Sequence, residues 1–132
     1  MIKNETKFWH ELKKRTPEIK WTRIENTSLL GTPDLLGYND SGHFFTVELK
    51  VTRSNRVTFS PHQIAFHVRH PNNTFILTKT LVAGHVKLYE GKKILQLVAS
   101  GLKLDACCEG LEACRLRLES VGGLFTGGPT RA

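Results

Sequence analysis

Residues 44–51, Phe-Phe-Thr-Val-Glu-Leu-Lys-Val, alternate in character. Side chains of a strand alternate faces with a period of two. Phe45, Val47, Leu49 and Val51 therefore fall on one side, and Phe44, Thr46, Glu48 and Lys50 on the other. The first side can cover a core. The second ends in a carboxylate and an amine about 6–7 Å apart, at roughly 3.3 Å of rise per residue. With Asp34 upstream, such a pair on one strand face can hold a divalent metal and a water.

The residues before this strand bring Asp34 to it. Gly31-Thr-Pro-Asp34 is a tight entry into an earlier strand. Pro33 cannot donate to a ladder, so it belongs at a strand start or a bulge. Asp34 is thereby expected at the mouth of the sheet. Leu35, Leu36 and Gly37 continue the strand, and Asn39-Asp-Ser-Gly42 has turn chemistry. The hairpin so formed brings Asp34 near Glu48 and Lys50.

Residues 3–15 predict a helix, with Asn4 as its cap and Glu5 in the first turn, where a negative charge suits the dipole. Phe8, Leu12 and Arg15 share one side and Trp9 lies beside it; Thr16-Pro17 stops the helix. Glu5 reads equally as a first-turn charge or as a third carboxylate facing a metal. Residues 20–25 suggest a first strand; Arg23 and Glu25 fall near the proposed site but are more simply read as solvated. Leu29-Leu30 is unusually apolar for a loop and suits packing on a partner chain or a strand.

Beyond the central strand, residues 52–58 form a polar loop whose Arg53 and Arg56 suit phosphate contact at the rim of a site. Ser60-Pro-His-Gln63 is a helix start: Ser60 caps, Pro61 fits the first helical position, and Gln63 completes a capping box. Ile64 and Val68, one turn apart, are expected to face the sheet, and His70-Pro71-Asn72-Asn73 ends the helix. Strands follow at 74–79 and 85–89, then a second helix or a strand-helix transition at 92–100, ended by Gly101. Residues 1–104 read as a core, 105–120 as a C-terminal helix carrying Leu111, Cys114 and Leu118, and 121–132 as a Gly-rich tail. The order of elements predicts an α/β arrangement around a mixed central β-sheet.

The formal charge of +7 and pI near 9.6 favour a polyanionic partner. Cys107, Cys108 and Cys114 form neither a disulfide framework nor a zinc spacing, so reduced thiols of a cytoplasmic protein are expected. No apolar run approaches a membrane span. His62, His67 and His70 do not share one helix face, which disfavours a histidine metal site.

Pro33-Asp34, then Glu48-Leu-Lys50, preceded by a helix bearing Glu5 and followed by one bearing Gln63, resembles the PD-(D/E)XK nuclease superfamily. The contexts Gly-Thr-Pro-Asp, Glu-Leu-Lys and Ser-Pro-His-Gln look most like its VRR-NUC and phage Holliday-junction-resolvase-like branch. The resemblance covers roughly residues 3–97. It implies a restriction-endonuclease-like core, with a mixed sheet flanked by helices. It also implies that Asp34, Glu48 and the carbonyl of Leu49 bind a catalytic Mg²⁺, or Mn²⁺, with Glu5 bound directly or through water. Lys50 would orient or activate the attacking water, and Gln63 would be the polar residue on the helix behind the site.

The implied protein is a metal-dependent DNA endonuclease, structure-selective and resolvase-like, acting as a homodimer because two strands need two sites. Lys7, Arg53 and Arg56 would contact DNA. A homing or restriction-type endonuclease, or a catalytically silent DNA-binding module, remain the alternatives. The chemistry agrees independently. A hard cation takes carboxylate and carbonyl oxygens, lowers the pKa of bound water and polarises a phosphate. A lysine supplies a compact charge beside it.

Overall fold

The computed structural model describes residues 3–24 and 31–123. Six strands lie in one sheet in chain order: β1 (Lys20–Arg23), β2 (Leu35–Tyr38), β3 (Phe44–Thr52), β4 (Thr74–Thr80), β5 (Val86–Glu90) and β6 (Cys108–Glu109). All neighbours are antiparallel except β3 and β4, which run parallel and are joined by the crossover helix α2 (Pro61–Arg69). A parallel pair needs such a crossover, whereas a tight turn suffices between β2 and β3.

The alternation of β3 sorts the two layers. Phe45, Val47 and Leu49 are buried in the larger core, beneath α1 (Asn4–Arg15) and α4 (Leu111–Glu119). Phe8, Trp9 and Leu12 of α1 and Cys114 and Leu118 of α4 complete it. The opposite face carries a smaller core of Val57, Ile76, Tyr89, Ile94 and Leu97, covered by α2 and α3 (Ile94–Ser100). At roughly 25 cal/mol per Å² of apolar area removed from water, both layers contribute to stability, the larger one more.

Several details differ from expectation. The cap of α1 is Lys3, whose side chain makes no capping bond; Asn4 already lies inside the helix. Thr16 closes α1 by donating from Oγ1 to the Leu12 carbonyl at 2.7 Å. The helix start at Ser60 is as the sequence predicts, with both bonds of the capping box formed. Ile64 packs against the smaller core, but Val68 is 54% exposed and His67 takes the inward position instead. The segment 105–120 is not one helix. Cys108–Glu109 pairs with Lys87 and Leu88 on β5, then Gly110 at φ +89° breaks the chain before α4. Glu25, Leu29-Leu30 and the tail from 124 lie outside the described residues.

Candidate active site

The register of β2 on β3 pairs Leu35 with Val47 and Leu36 with Thr46. One further step sets Asp34 opposite Glu48. Pro33 ends the ladder there, so Asp34 precedes β2 and uses its side chain where a strand would use its backbone. Its Oδ2 accepts from the Leu49 amide at 2.7 Å.

The backbone beyond that point is open. Thr46 donates to the Asn73 carbonyl and Thr52 accepts from Leu81, so the even-numbered residues of β3 bond toward β4. The odd ones face β2, which stops pairing at Val47. In a strand a residue's N–H and C=O point to the same edge. Leu49 and Val51 therefore project past the end of β2. The Leu49 amide meets Asp34 and the Val51 amide meets the carboxylate of Glu5 from α1. The Leu49 carbonyl lies along the same edge between these two amides.

Glu48 is 3% exposed. Its Oε2 accepts from Gln63 Nε2 at 2.9 Å, and its buried Oε1 has no donor among the described residues. Lys50 Nζ donates to Gln63 Oε1 at 3.1 Å and lies 4.8 Å from the centre of the Phe59 ring. Glu48 and Lys50 are thus held by the two ends of one amide.

Charge crowding marks the spot. Burial, then the Asp34 carboxylate, pushes the Glu48 carboxyl far above the usual range. Burial also raises Asp34, against the opposing pull of the Leu49 amide. Glu5 keeps much of its surface in solvent, but its carboxyl is raised by burial and then by Asp34. Three carboxyl groups that resist ionising together are stabilised as anions by a cation placed among them.

A cleft of about 200 Å³ opens beside Asp34 and Leu49, between α1 and the ends of β1 and β2. Lys3, Glu5, Trp9 and Arg23 are part of its lining. Lys3 and Arg23 give it positive edges. Arg23 is thus beside the site, where the sequence more simply reads a solvated strand residue, and Lys3 is read there only as part of the first helix. Phe59 is unannounced by any motif.

The fold gathers Asp34, Glu48, Leu49, Lys50, Glu5 and Gln63 at one end of the sheet. It leaves the three basic residues outside the cleft. Lys7 is exposed on α1 and does not line it. Arg53 is exposed on the loop after β3, and Arg56 lines a separate shallow hollow with Asn55 and the end of α3.

Among the described residues no group of three or more His, Cys, Asp or Glu side chains is arranged to hold a metal ion alone. The donors present still fit a hard cation. Mg²⁺ is commonly bound through one or two carboxylates, with water and substrate phosphate filling the rest of its shell. An unpartnered buried oxygen on Glu48, the carboxylate of Asp34 and the outward edge of Leu49 form such an all-oxygen set.

No protein-family model and no curated protein matches the chain. Among solved structures it is similar to the 1.6 Å structure of Archaeoglobus fulgidus Hjc, a Holliday junction resolvase from an archaeal hyperthermophile. The two are 16% identical, the match covers 67% of this chain and 74% of that one, and the TM-score is 0.50. The likeness establishes the fold as the sequence predicts it: a restriction-endonuclease-like α/β core, with a mixed sheet between helices.

Proposed function

We propose that this protein is a metal-dependent DNA endonuclease that hydrolyses phosphodiester bonds in branched or junction DNA. The observation that carries the reading is the pairing of Glu48 and Lys50 through Gln63, beside Asp34, with Glu48 Oε1 left without a donor. The fold shared with an archaeal resolvase supports a junction substrate over plain duplex. The VRR-NUC and phage-resolvase-like motifs support the same choice.

Asp34, Glu48 and the Leu49 carbonyl would hold Mg²⁺ or Mn²⁺, with Glu5 reaching it through water. When bound, the ion supplies Lewis acidity toward the phosphate and a more acidic water. Lys50 then places a positive charge next to the reacting phosphate, held in direction by Gln63 and Phe59. Lys3 and Arg23 line the cleft that receives the adjoining backbone. Arg53, Arg56 and Lys7 contact DNA further out, adding to affinity without reading sequence. A homodimer supplies the second site needed to cut two strands.

Cleavage of a panel of four-way junctions, forks, flaps and linear duplexes with Mg²⁺, Mn²⁺ or EDTA tests the reading. Junctions should be cut faster than linear duplex, and EDTA should stop both. Equal rates on junction and linear DNA would remove the resolvase-like part; full activity in EDTA would remove the metal.

A further inference from the structure

We propose that Ser60 is a positioning residue of this site, because the N-cap of α2 decides which end of the Gln63 amide faces Glu48. The inference rests on the nuclease reading above and concerns how its polar groups are held.

A glutamine side chain has two ends of nearly equal shape and opposite hydrogen-bonding character. Left alone, it can present either to a neighbour. Here Gln63 Oε1 accepts two bonds, from the Ser60 backbone amide at 3.0 Å and from Lys50 Nζ at 3.1 Å. Its Nε2 donates to Glu48 Oε2 at 2.9 Å. A flipped amide would aim an NH₂ at two donors and a carbonyl at a carboxylate, so all three bonds would be lost.

Lys50 alone cannot set this polarity, since a flexible ammonium can swing toward another acceptor. The Ser60 amide cannot swing. Ser60 Oγ accepts from the Gln63 backbone amide at 3.1 Å, and Ser60 is extended at φ −72° and ψ 158°. The following Pro61 restricts Ser60 to that region and carries no N–H of its own. The cap is thus a rigid donor, and through Gln63 it reaches Glu48 and Lys50 on β3.

The amide also acts as a spacer. Glu48 and Lys50 lie two apart on one strand face, and without Gln63 between them the ammonium could close directly onto the carboxylate. Such a pair would occupy the oxygens that the all-oxygen set requires. The capping box and the polar residue behind the site are therefore one device. Ser60 acts through Gln63 and touches neither substrate nor ion.

The test uses the full chain, with Ser60→Ala, Ser60→Thr and Gln63→Glu. Ala65→Gly is the control; it weakens the middle of α2 without touching the cap. One readout is kcat and KM on the best-cut DNA with Mg²⁺. The other is solvent exchange of the Gln63 side-chain NH₂ by ¹⁵N NMR in metal-free protein, assigned by its absence in Gln63→Glu.

Ser60→Ala should lower kcat about tenfold with KM within about twofold, the scale of one lost helix cap. It should also speed NH₂ exchange. Threonine caps as serine does, so Ser60→Thr should restore both. Gln63→Glu keeps a capping-box residue but has no donor for Glu48, and should lower kcat about 100-fold at near-unchanged melting temperature. The proposal is overturned if Ser60→Thr is as poor as Ser60→Ala. It is overturned equally if Ala65→Gly loses kcat to the same extent, or if the NH₂ exchange of Ser60→Ala matches wild type. Should wild-type protein cut no DNA, the nuclease reading fails, and the exchange experiment still decides the role of Ser60.

Discussion

The two ends of α2 bury polar groups in opposite ways. At its N-terminal end, Gln63, Glu48 and Lys50 are bonded to one another, and the exception is Glu48 Oε1. One turn later on the same helix, His67 is 0% exposed and neither ring nitrogen has a partner among the described residues. Burial lowers the His67 pKa to about 4, with a further push from His70. The first end orders charged groups around one buried carboxylate oxygen. The second uses an imidazole as a shape, packed where only a glycine allows it to fit. An unsatisfied buried atom can therefore belong to a cluster of charged groups or to a neutral ring chosen for its volume. The surrounding donors and charges separate the two.

The largest effect expected from breaking this contrast is on chemistry. Glu48→Ala should reduce cleavage on the order of 1,000-fold, as measured by single-turnover rates on junction DNA. Nicking that survives unchanged would leave the site without a catalytic role.

The second end should answer in stability. A Cβ on Gly91 would stand 2.5 Å from His67 Nδ1 and 2.3 Å from Thr74 Oγ1. Gly91→Ala should therefore cost about 2–3 kcal/mol by urea denaturation, through overpacking. A smaller ring site, as in the double variant with His67→Ala, should recover part of that loss.

Next comes pH. His67 binds its proton more weakly folded than unfolded, about 4 against 6.5. The unfolded chain thus takes up the extra proton between those values. Stability is fully present above about 6.5 and declines as pH falls through 4, by about 3 kcal/mol. His67→Leu should flatten that part of the curve; an unchanged slope would show that His67 is not the group responsible.

The smallest effect is of the opposite sign. Burial and the Asp34 carboxylate hold the Glu48 carboxyl far above its ordinary range, so folding the metal-free protein at neutral pH costs the uptake of a proton that Glu48→Gln does not need. That variant should gain about 1 kcal/mol in EDTA. Mg²⁺ should stabilise wild type more than the variant in thermal melts, and equal responses would argue against Glu48 as a ligand.

Much of the candidate site's arrangement was legible because it is built from local rules. Period-two alternation put Glu48 and Lys50 on one face, Pro33 fixed where Asp34 leaves the ladder, and Ser60-Pro-His-Gln63 announced its own cap. The failures share a cause: they depend on what packs from elsewhere. Apolar spacing favoured Val68 as the inward residue of α2, but the space beside Gly91 and Thr74 accepts His67. The leucines of 105–120 have helical spacing, while pairing with β5 draws two residues into an edge strand. Arg23 and Lys3 come to line one cleft only because β1 and α1 meet there.

The tie between the β2–β3 turn and the end of α4 bears on when the protein can work at all. Asn39 Nδ2 donates to the carbonyls of Leu118 and Val121 at 3.2 and 2.8 Å, partners 79 and 82 positions along the chain. Val121 and Leu118 also share a core with Leu35, Phe45 and Val47, the strands that carry Asp34 and Glu48. A nascent chain emerging from its N-terminus holds every residue of the site long before these partners are made. Contacts of such sequence separation form late in folding. The site should therefore gain its final geometry only after residue 121 has been synthesised.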